Sequence, residues 1–403
     1  MTSPAPVHRR AVFYVPGYDP RRPRVYHALF AEELAAAARL RGYEAQAGAL
    51  DETDPLAPAF AMDAQIDGVE TRARVAILRW DDVARPAFKA PLLRRLPKLL
   101  AIGLDLARRG VLRRLGRLDW QFAAFVAYPY VMTVLIALAI LALAVFAGAA
   151  AGSVSPLLAP AAALATLLAG GFVALRIERP LYLRYLLEDW LLSFAHERGE
   201  TDVLAQRVEA FAARIVAAAR AQGEERVDEI LLVGHSSGAF LAPETLAAAL
   251  RADPDLPRQG PAIALLTIGT VAPLMLVDAP GSRYEVALRR LAHEPGIVWH
   301  ELQSRHDAMN ACPVDPAALA GLPDARWPLV MRLSMPQLVR PGQLGLFRER
   351  LFFFRTHFRF LKANERPVDY DFYGMLVGPK RLAERHRVRQ PVGDRHPPVT
   401  GEG

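Results

Sequence analysis

The chain is predicted to be an α/β protein with a mostly parallel sheet, interrupted by a basic amphipathic segment and a two-helix transmembrane hairpin. Three observations predict it. Short apolar, β-branched runs alternate with segments whose apolar residues recur at helical spacing, the pattern of βαβ units. The stretch Glu229 to Leu250, EILLVGHSSGAFLAPETLAAAL, passes from the apolar run Ile230 to Val233 through Gly234-His235-Ser236-Ser237-Gly238 into an alanine- and leucine-rich segment. That is strand, sharp turn, helix. Finally, two long stretches carry no charge at all, and each could cross a bilayer core, which takes about 20 apolar residues.

In chain order, Ala11 to Val15 (AVFYV) is predicted as a strand ending at Pro16-Gly17-Tyr18-Asp19-Pro20, a loop by its Pro and Gly content. Val25 to Arg41 sets Leu29, Phe30, Leu34, Ala37 and Ala38 at helical spacing, with Gly42 as its stop. Tyr43 to Leu50 and Arg74 to Trp80 read as two strands separated by an acidic, proline-containing loop. Thr201 to Gln222 reads as an amphipathic helix with Thr201 or Asp202 as its N-cap. Pro261 to Thr270 and Gly296 to Leu302 read as the strands after the turn.

Composition narrows the class. The 403 residues leave room for one large α/β domain plus an insertion, or for two domains. Apolar residues make up 52% of the chain and mean hydropathy is +0.13, high for a purely soluble enzyme. The single cysteine, Cys312, permits no intrachain disulfide and reads as a small buried hydrophobe. MTSPAPVHRR contains no apolar run, so no cleavable signal peptide is expected at that end. The net charge of +7 is local: from Arg85 to Arg117 there are ten Lys or Arg against Asp105 alone. That cluster borders an apolar span, so nucleic acid is not an expected partner. No Cys/His set has metal spacing and no phosphate-binding glycine loop is present, so no cofactor and no metal are expected.

The insertion is placed at residues 85–195. Residues 85–120 alternate basic residues with leucines, suiting a helix on an anionic membrane surface or a solvated face packed on protein. Phe122 to Ala151 and Leu157 to Leu175 hold no charged residue, predicting spans at about 124–147 and 157–176. Basic residues flank both ends, with Arg176, Arg179 and Arg184 after the second span. The positive-inside rule therefore puts both flanks in the cytoplasm. Trp120, Tyr128, Tyr130, Tyr182, Tyr185 and Trp190 would suit an interfacial aromatic belt. The expected placement is multi-pass in a bacterial-type inner (cytoplasmic) membrane, with 1–84 and 196–378 forming one cytoplasmic domain and 379–403 a disordered tail.

The chemistry of the turn explains its residue types. A serine hydroxyl needs a base beside it, backbone donors facing the oxyanion, and a backbone that lifts it clear. In a turn that tight only glycine fits two residues before and two after the serine. Gly234 and Gly238 stand there around Ser236. With its flanking strand and helix, this GHSxG elbow resembles the α/β-hydrolase superfamily, in particular its lipase-like and esterase-like members, over most of the chain outside the insertion. The resemblance implies helices on both faces of the sheet and an oxyanion hole from the loop after an early strand, at Gly17 and Tyr18, together with Ser237. It also implies the chain order nucleophile, acid, base. Asp307, after the last strand legible in the sequence, is the expected acid, with Asp278 next and Asp315 third. His357, in FFFRTHFRFL, is the expected base; His293, His300 and His306 precede Asp307, and His386 and His396 lie in the tail. Gly269-Thr270 resembles the family's small-residue strand end, and His235 is expected to be structural.

The function expected from this set is a membrane-anchored serine hydrolase that cleaves an ester, lipid or acyl, through an acyl-enzyme on Ser236, Asp307 and His357. An acyltransferase or thioesterase using the same triad, and a non-catalytic membrane scaffold with the same fold, remain the alternatives. The bilayer and a small-molecule or lipid ester are the expected partners; the oligomeric state stays open, as does whether Phe352 to Phe354 line a pocket or simply pack.

Overall fold

In the computed structural model, which describes residues 5–341 and 353–385, the central strand is β1 (Arg9–Val15), buried at every position after Arg9. It runs parallel to β4 (Val69–Ile77) on one side and β5 (Glu229–His235) on the other. Burial on both faces is why β1 and β5 are continuous apolar runs instead of alternating ones; all seven residues of β5 are buried, whereas β4 alternates buried and exposed residues over its first half. Beyond β5 the sheet continues in parallel through β6 (Ala262–Ile268), β7 (Ile297–Gln303) and β8 (Leu329–Arg332). The other edge is antiparallel: β2 (Glu44–Ala47) pairs with β3 (Ala59–Ile66), and β3 with β4. Among the described residues this is a mixed sheet in the order β2-β3-β4-β1-β5-β6-β7-β8.

The antiparallel edge corrects the sequence reading. The expected acidic loop between two strands contains β3 and the start of β4, joined by the two-residue turn Asp67-Gly68. Both turn residues have positive φ, 52° and 77°, as a twist-matched tight hairpin requires. Asp-Gly between alternating runs was the available signal. β8 also escaped notice, because four residues after Trp327-Pro328 are too short to show a period.

The helices in order are α1 (Pro23–Arg41), α2 (Asp81–Lys89), α3 (Leu92–Arg108), α4 (Val111–Leu118) and α5 (Trp120–Gly152). They are followed by α6 (Leu158–Ile177), α7 (Leu183–Glu197), α8 (Val203–Arg220) and α9 (Gly238–Ala252), with shorter helices beyond. Gly42 ends α1 at φ 73°, its N–H closing on Ala38 O. α9 packs on β5, β6 and β1, and α8 packs on α9. Contacts divide the chain into one unit of residues 1–85 and 194–403, and another of 86–193.

The first unit is locked by a buried ion pair. Arg10 Nε donates to Glu229 Oε2 at 2.7 Å, and its remaining nitrogens donate to the carbonyls of Leu376, Gly378 and Lys380. Glu229 Oε1 accepts Leu382 N–H at 3.0 Å. These bonds hold Lys380 to Arg385 against the starts of β1 and β5, with a short helix at Leu382–Arg385. Ordered chain therefore extends past 379, where the tail was expected to begin. The rest of that tail, 386–403 with His386 and His396, lies outside the described residues.

In the second unit, Asp119 caps α5 by accepting the N–H groups of Gln121 and Phe122. The first turns of α5 are internal: Phe122, Phe125, Val126 and Tyr130 are buried, with Tyr130 against Gly103. After the exposed Trp120 at its start, the next exposed large apolar residue of α5 is Val131. From there to Gly152 the helix rises about 33 Å, close to the ~30 Å hydrocarbon core. α6 has no buried residue, and only 11% of the most apolar window of α5 is buried. A core helix of a soluble protein would be mostly covered, so these are two helices long and apolar enough to cross a membrane. They pack on each other through small residues, Gly148 and Gly152 against Ala159, and Gly170 against Ile140. Two residues of the expected aromatic belt are internal instead: Trp190 and Tyr130 are buried, and Trp190 packs edge-on to Phe125 at 5.9 Å. Arg95 of the basic segment is also committed internally, to Glu188.

Replacing Glu229 by Gln leaves the buried Arg10 charge without its partner. The expected cost is about 3 kcal/mol, measured as a lowered midpoint of thermal unfolding in detergent; an unchanged midpoint would refute the role given to this pair.

Candidate active site

β5 ends at His235 and α9 begins at Gly238, so the chain must reverse within Ser236 and Ser237. Ser236 does so at φ 59°, a left-handed conformation that costs energy for a residue with a Cβ. Its N–H donates to Ile268 O at 3.0 Å, and its carbonyl accepts the Ala239 N–H at 2.9 Å. The turn is held by absence of side chains. A Cβ on Gly234 would lie 2.5 Å from Gly238 O and 2.8 Å from Ala242 Cβ. One on Gly238 would run into the carbonyls of Val15 and Pro16 at the end of β1, and one on Gly17 would stand 2.7 Å from Ser236 Cβ.

The loop after β1 is fixed beside the serine. Trp80 Nε1 donates to Pro16 O at 2.9 Å, and Tyr18 packs its ring edge-on to Trp80 at 5.8 Å. Asp19, buried, accepts Tyr26 Oη–H at 2.8 Å and the Arg21 N–H at 2.9 Å. Gly17 and Tyr18 thus stand against Ser236 because an aromatic from β4's end and a carboxylate in the loop hold them there.

Asp307 and His357 arrive from far apart in the chain. Asp307 sits in the loop after β7, which Asn310 braces: its Oδ1 accepts Ser304 N–H, and its Nδ2 donates to the carbonyls of Ser304 and Asp307. Asn310 was not singled out from sequence; an Asn three residues past an Asp is too common to signal anything alone. His357 closes the short helix Phe353–His357. Its Nδ1 lies 2.7 Å from Asp307 Oδ2, with both side chains buried. An ionised carboxylate only accepts, so Nδ1 carries the hydrogen and a neutral ring presents Nε2 as a base. That Nε2 has no hydrogen-bond partner among the described residues, so the serine-to-histidine link is open in this conformation.

The histidine ring is positioned by two neighbours. It stacks on His235 with centroids 4.6 Å apart and planes at 29°. It also lies over Gly269, where a Cβ would be 2.8 Å from Cε1 and where φ is 58°, so both space and backbone demand glycine. His235 is itself fully buried; burial first, and the neighbouring His357 second, push its pKa well below the usual imidazole value. It stays neutral and packs.

The competing acids have other work. Asp278 takes both arms of Arg198 at 2.8 Å, and Asp315 caps the helix Pro316–Leu319 through Ala317 and Ala318 N–H. Of the three acids considered, Asp307 is the one that meets His357. Ser237 follows Ser236 in the turn and is buried. Of the FFFRTHFRFL region, Phe353 and Phe354 pack ring to ring at 5.0 Å, while Phe352 lies outside the described residues. Comparison with protein-family models, with curated proteins and with solved structures finds no match to this chain.

Two substitutions separate strain from crowding at the elbow. Ser236→Gly relieves the left-handed backbone and is expected to raise stability by about 1 kcal/mol. Gly238→Ala is expected to lower it by about 2 kcal/mol or more. Denaturant unfolding monitored by tryptophan fluorescence checks both signs.

Proposed function

We propose that the protein is a membrane-anchored serine hydrolase of the α/β-hydrolase kind, acting on an ester. The observation that carries this reading is the buried Asp307–His357 pair at 2.7 Å, its ring stacked on His235, the residue before a serine held at φ 59° between two glycines that admit no Cβ. Strain at a single serine, with a tautomer-fixed histidine nearby, suits nucleophilic catalysis better than it suits packing.

In the proposed reaction Ser236 Oγ attacks the ester carbonyl carbon while His357 Nε2 takes the hydroxyl proton. Backbone N–H groups of Ser237 and of Gly17 or Tyr18 receive the oxyanion. His357 then returns the proton to the departing alcohol as the acyl-enzyme forms, and a water deacylates it by the same path in reverse. Asp307 holds the ring and stabilises its protonated form. The open Nε2 requires a small movement of His357 or of Ser236 on substrate binding, which is common in free enzymes. Anchoring by α5 and α6 would hold the site near lipid, so a lipidic or acyl ester is the substrate class this reading favours. The basic flanks support, by the positive-inside rule, a cytoplasmic side of a bacterial-type inner membrane for this unit.

A non-catalytic scaffold is the second reading, favoured by the same open Nε2. A fluorophosphonate probe separates the two: labelling of the wild type is expected, with none in Ser236→Ala. Equal labelling of the two, or none of either, would sink the hydrolase reading. Asp307→Asn is expected to slow turnover of an activated ester by about 10⁴-fold. For the orientation, Ser155→Cys at the hairpin tip is expected to react with a membrane-impermeant maleimide in intact cells; reaction only after lysis would reverse the assignment.

A further inference from the structure

Away from Ser236, three buried ligating side chains converge. The last turn of α7, which belongs to the same unit as α9, supplies His196 and Glu197, and α9 supplies Glu244. Their relative exposures are 0%, 3% and 7%, and one ring nitrogen and one oxygen of each carboxyl lie within 4.8 Å of one another. We propose that His196, Glu197 and Glu244 bind one divalent transition-metal cation, zinc first, which clamps the end of α7 to the nucleophile helix.

The hydrogen bonding leaves this cluster rich in lone pairs and poor in donors. Glu197 Oε2 accepts Tyr284 N–H at 2.9 Å, and Glu244 Oε2 lies 2.8 Å from His196 Nε2. Glu197 Oε1, Glu244 Oε1 and His196 Nδ1 are shielded from solvent and have no hydrogen-bond partner among the described residues. Two guanidiniums of this region are engaged elsewhere: Arg198, next in the chain, pairs with Asp278 at 2.8 Å, and Arg283 donates to His196 O and to Asp202, each at 3.0 Å. Two buried carboxylates without a cationic side chain of their own are costly. One divalent cation with two carboxylates and a neutral imidazole forms a neutral cluster and uses the orphaned lone pairs.

The donor set selects the metal. Mixed imidazole and carboxylate ligands suit zinc and its first-row neighbours, whereas calcium and magnesium prefer all-oxygen shells. Zinc bonds of about 2.0–2.2 Å put neighbouring ligands of a tetrahedron roughly 3.4 Å apart, so the trio closes on a cation by small side-chain shifts. A structural role follows from position. Glu244 lies about 9 Å along α9 from its first residue, too far to reach the Ser236 hydroxyl, and Phe240 stacks on the His196 ring at 6.3 Å. The alternative occupant is a proton shared between the two carboxyls, since burial pushes Glu244 up to about 8 and Glu197 well above the usual carboxylate range. The proposal is independent of the hydrolase reading.

The full-length protein in detergent, stripped with chelator and dialysed against Zn²⁺, is expected to retain about one zinc per chain through gel filtration. Its unfolding midpoint is expected to exceed that of the stripped protein by several degrees. Glu244→Gln is expected to weaken zinc binding at least tenfold, while Ser236→Ala retains it. Zinc-edge X-ray absorption on the wild type, which needs no variant to fold, is expected to show nitrogen and oxygen ligands at about 2.0–2.2 Å and no sulfur. Zinc content near zero with a midpoint indifferent to chelator would mean a shared proton and overturn the proposal, as would equal retention by Glu244→Gln or sulfur in the shell.

Discussion

The carbonyls of Val15 and Pro16 occupy the space where a side chain on residue 238 would be, and much of the site depends on that contact. It brings the end of β1, the end of β5 and the start of α9 to one point. Once they meet there, Ser236 has to turn through a left-handed conformation, the loop carrying Gly17 and Tyr18 has to lie against it, and α9 has to leave at an angle that packs on β5 and β6. Interiors are close-packed, so a single methyl group at this point cannot be absorbed by a neighbour. The elbow is thus a consequence of three backbones competing for one volume.

The acid and histidine obey a different logic. Each is delivered by a loop or short helix at the same end of the sheet and is then fixed by contacts with others. Asn310 holds the loop of Asp307, and His235 and Gly269 hold the ring of His357. The buried Asp307–His357 pair sets the ring's tautomer, and the neutral state of His235 keeps a second charge away from it. Asp278 and Asp315 also follow strands, yet Asp278 is taken by Arg198 and Asp315 by the N–H groups of the helix it caps.

The unit of residues 86–193 divides its longest helix between covered and uncovered surroundings. The first turns of α5 bury Phe122, Phe125 and Tyr130 within the unit, and the apolar surface beyond Val131 is left uncovered together with that of α6. Side-chain size follows this division: large aromatics fill the internal part, and Gly148, Gly152 and Gly170 let the exposed parts of the two helices approach closely. Part of the basic segment is likewise spent on internal pairs, such as Arg95 with Glu188, so its charge is not all available to a surface.

Local physics was legible in the chain. Apolar runs buried on both faces announced β1, β5 and β6; Gly42 marked where the backbone goes left-handed, and Gly234 and Gly238 marked the crowded turn; and long uncharged stretches marked α5 and α6. These signals survive because each comes from neighbours within a few residues. Elements buried on one face, such as β3, or too short for a period, such as β8, left no comparable trace, although Asp67-Gly68 did mark the hairpin. Which acid meets His357, what braces it, which aromatics of the insertion are buried, and that His196, Glu197 and Glu244 share one pocket were decided only in three dimensions. Those are contacts between residues tens of positions apart, and their partners are chosen by how sheet and helices pack, a choice that no local spacing encodes.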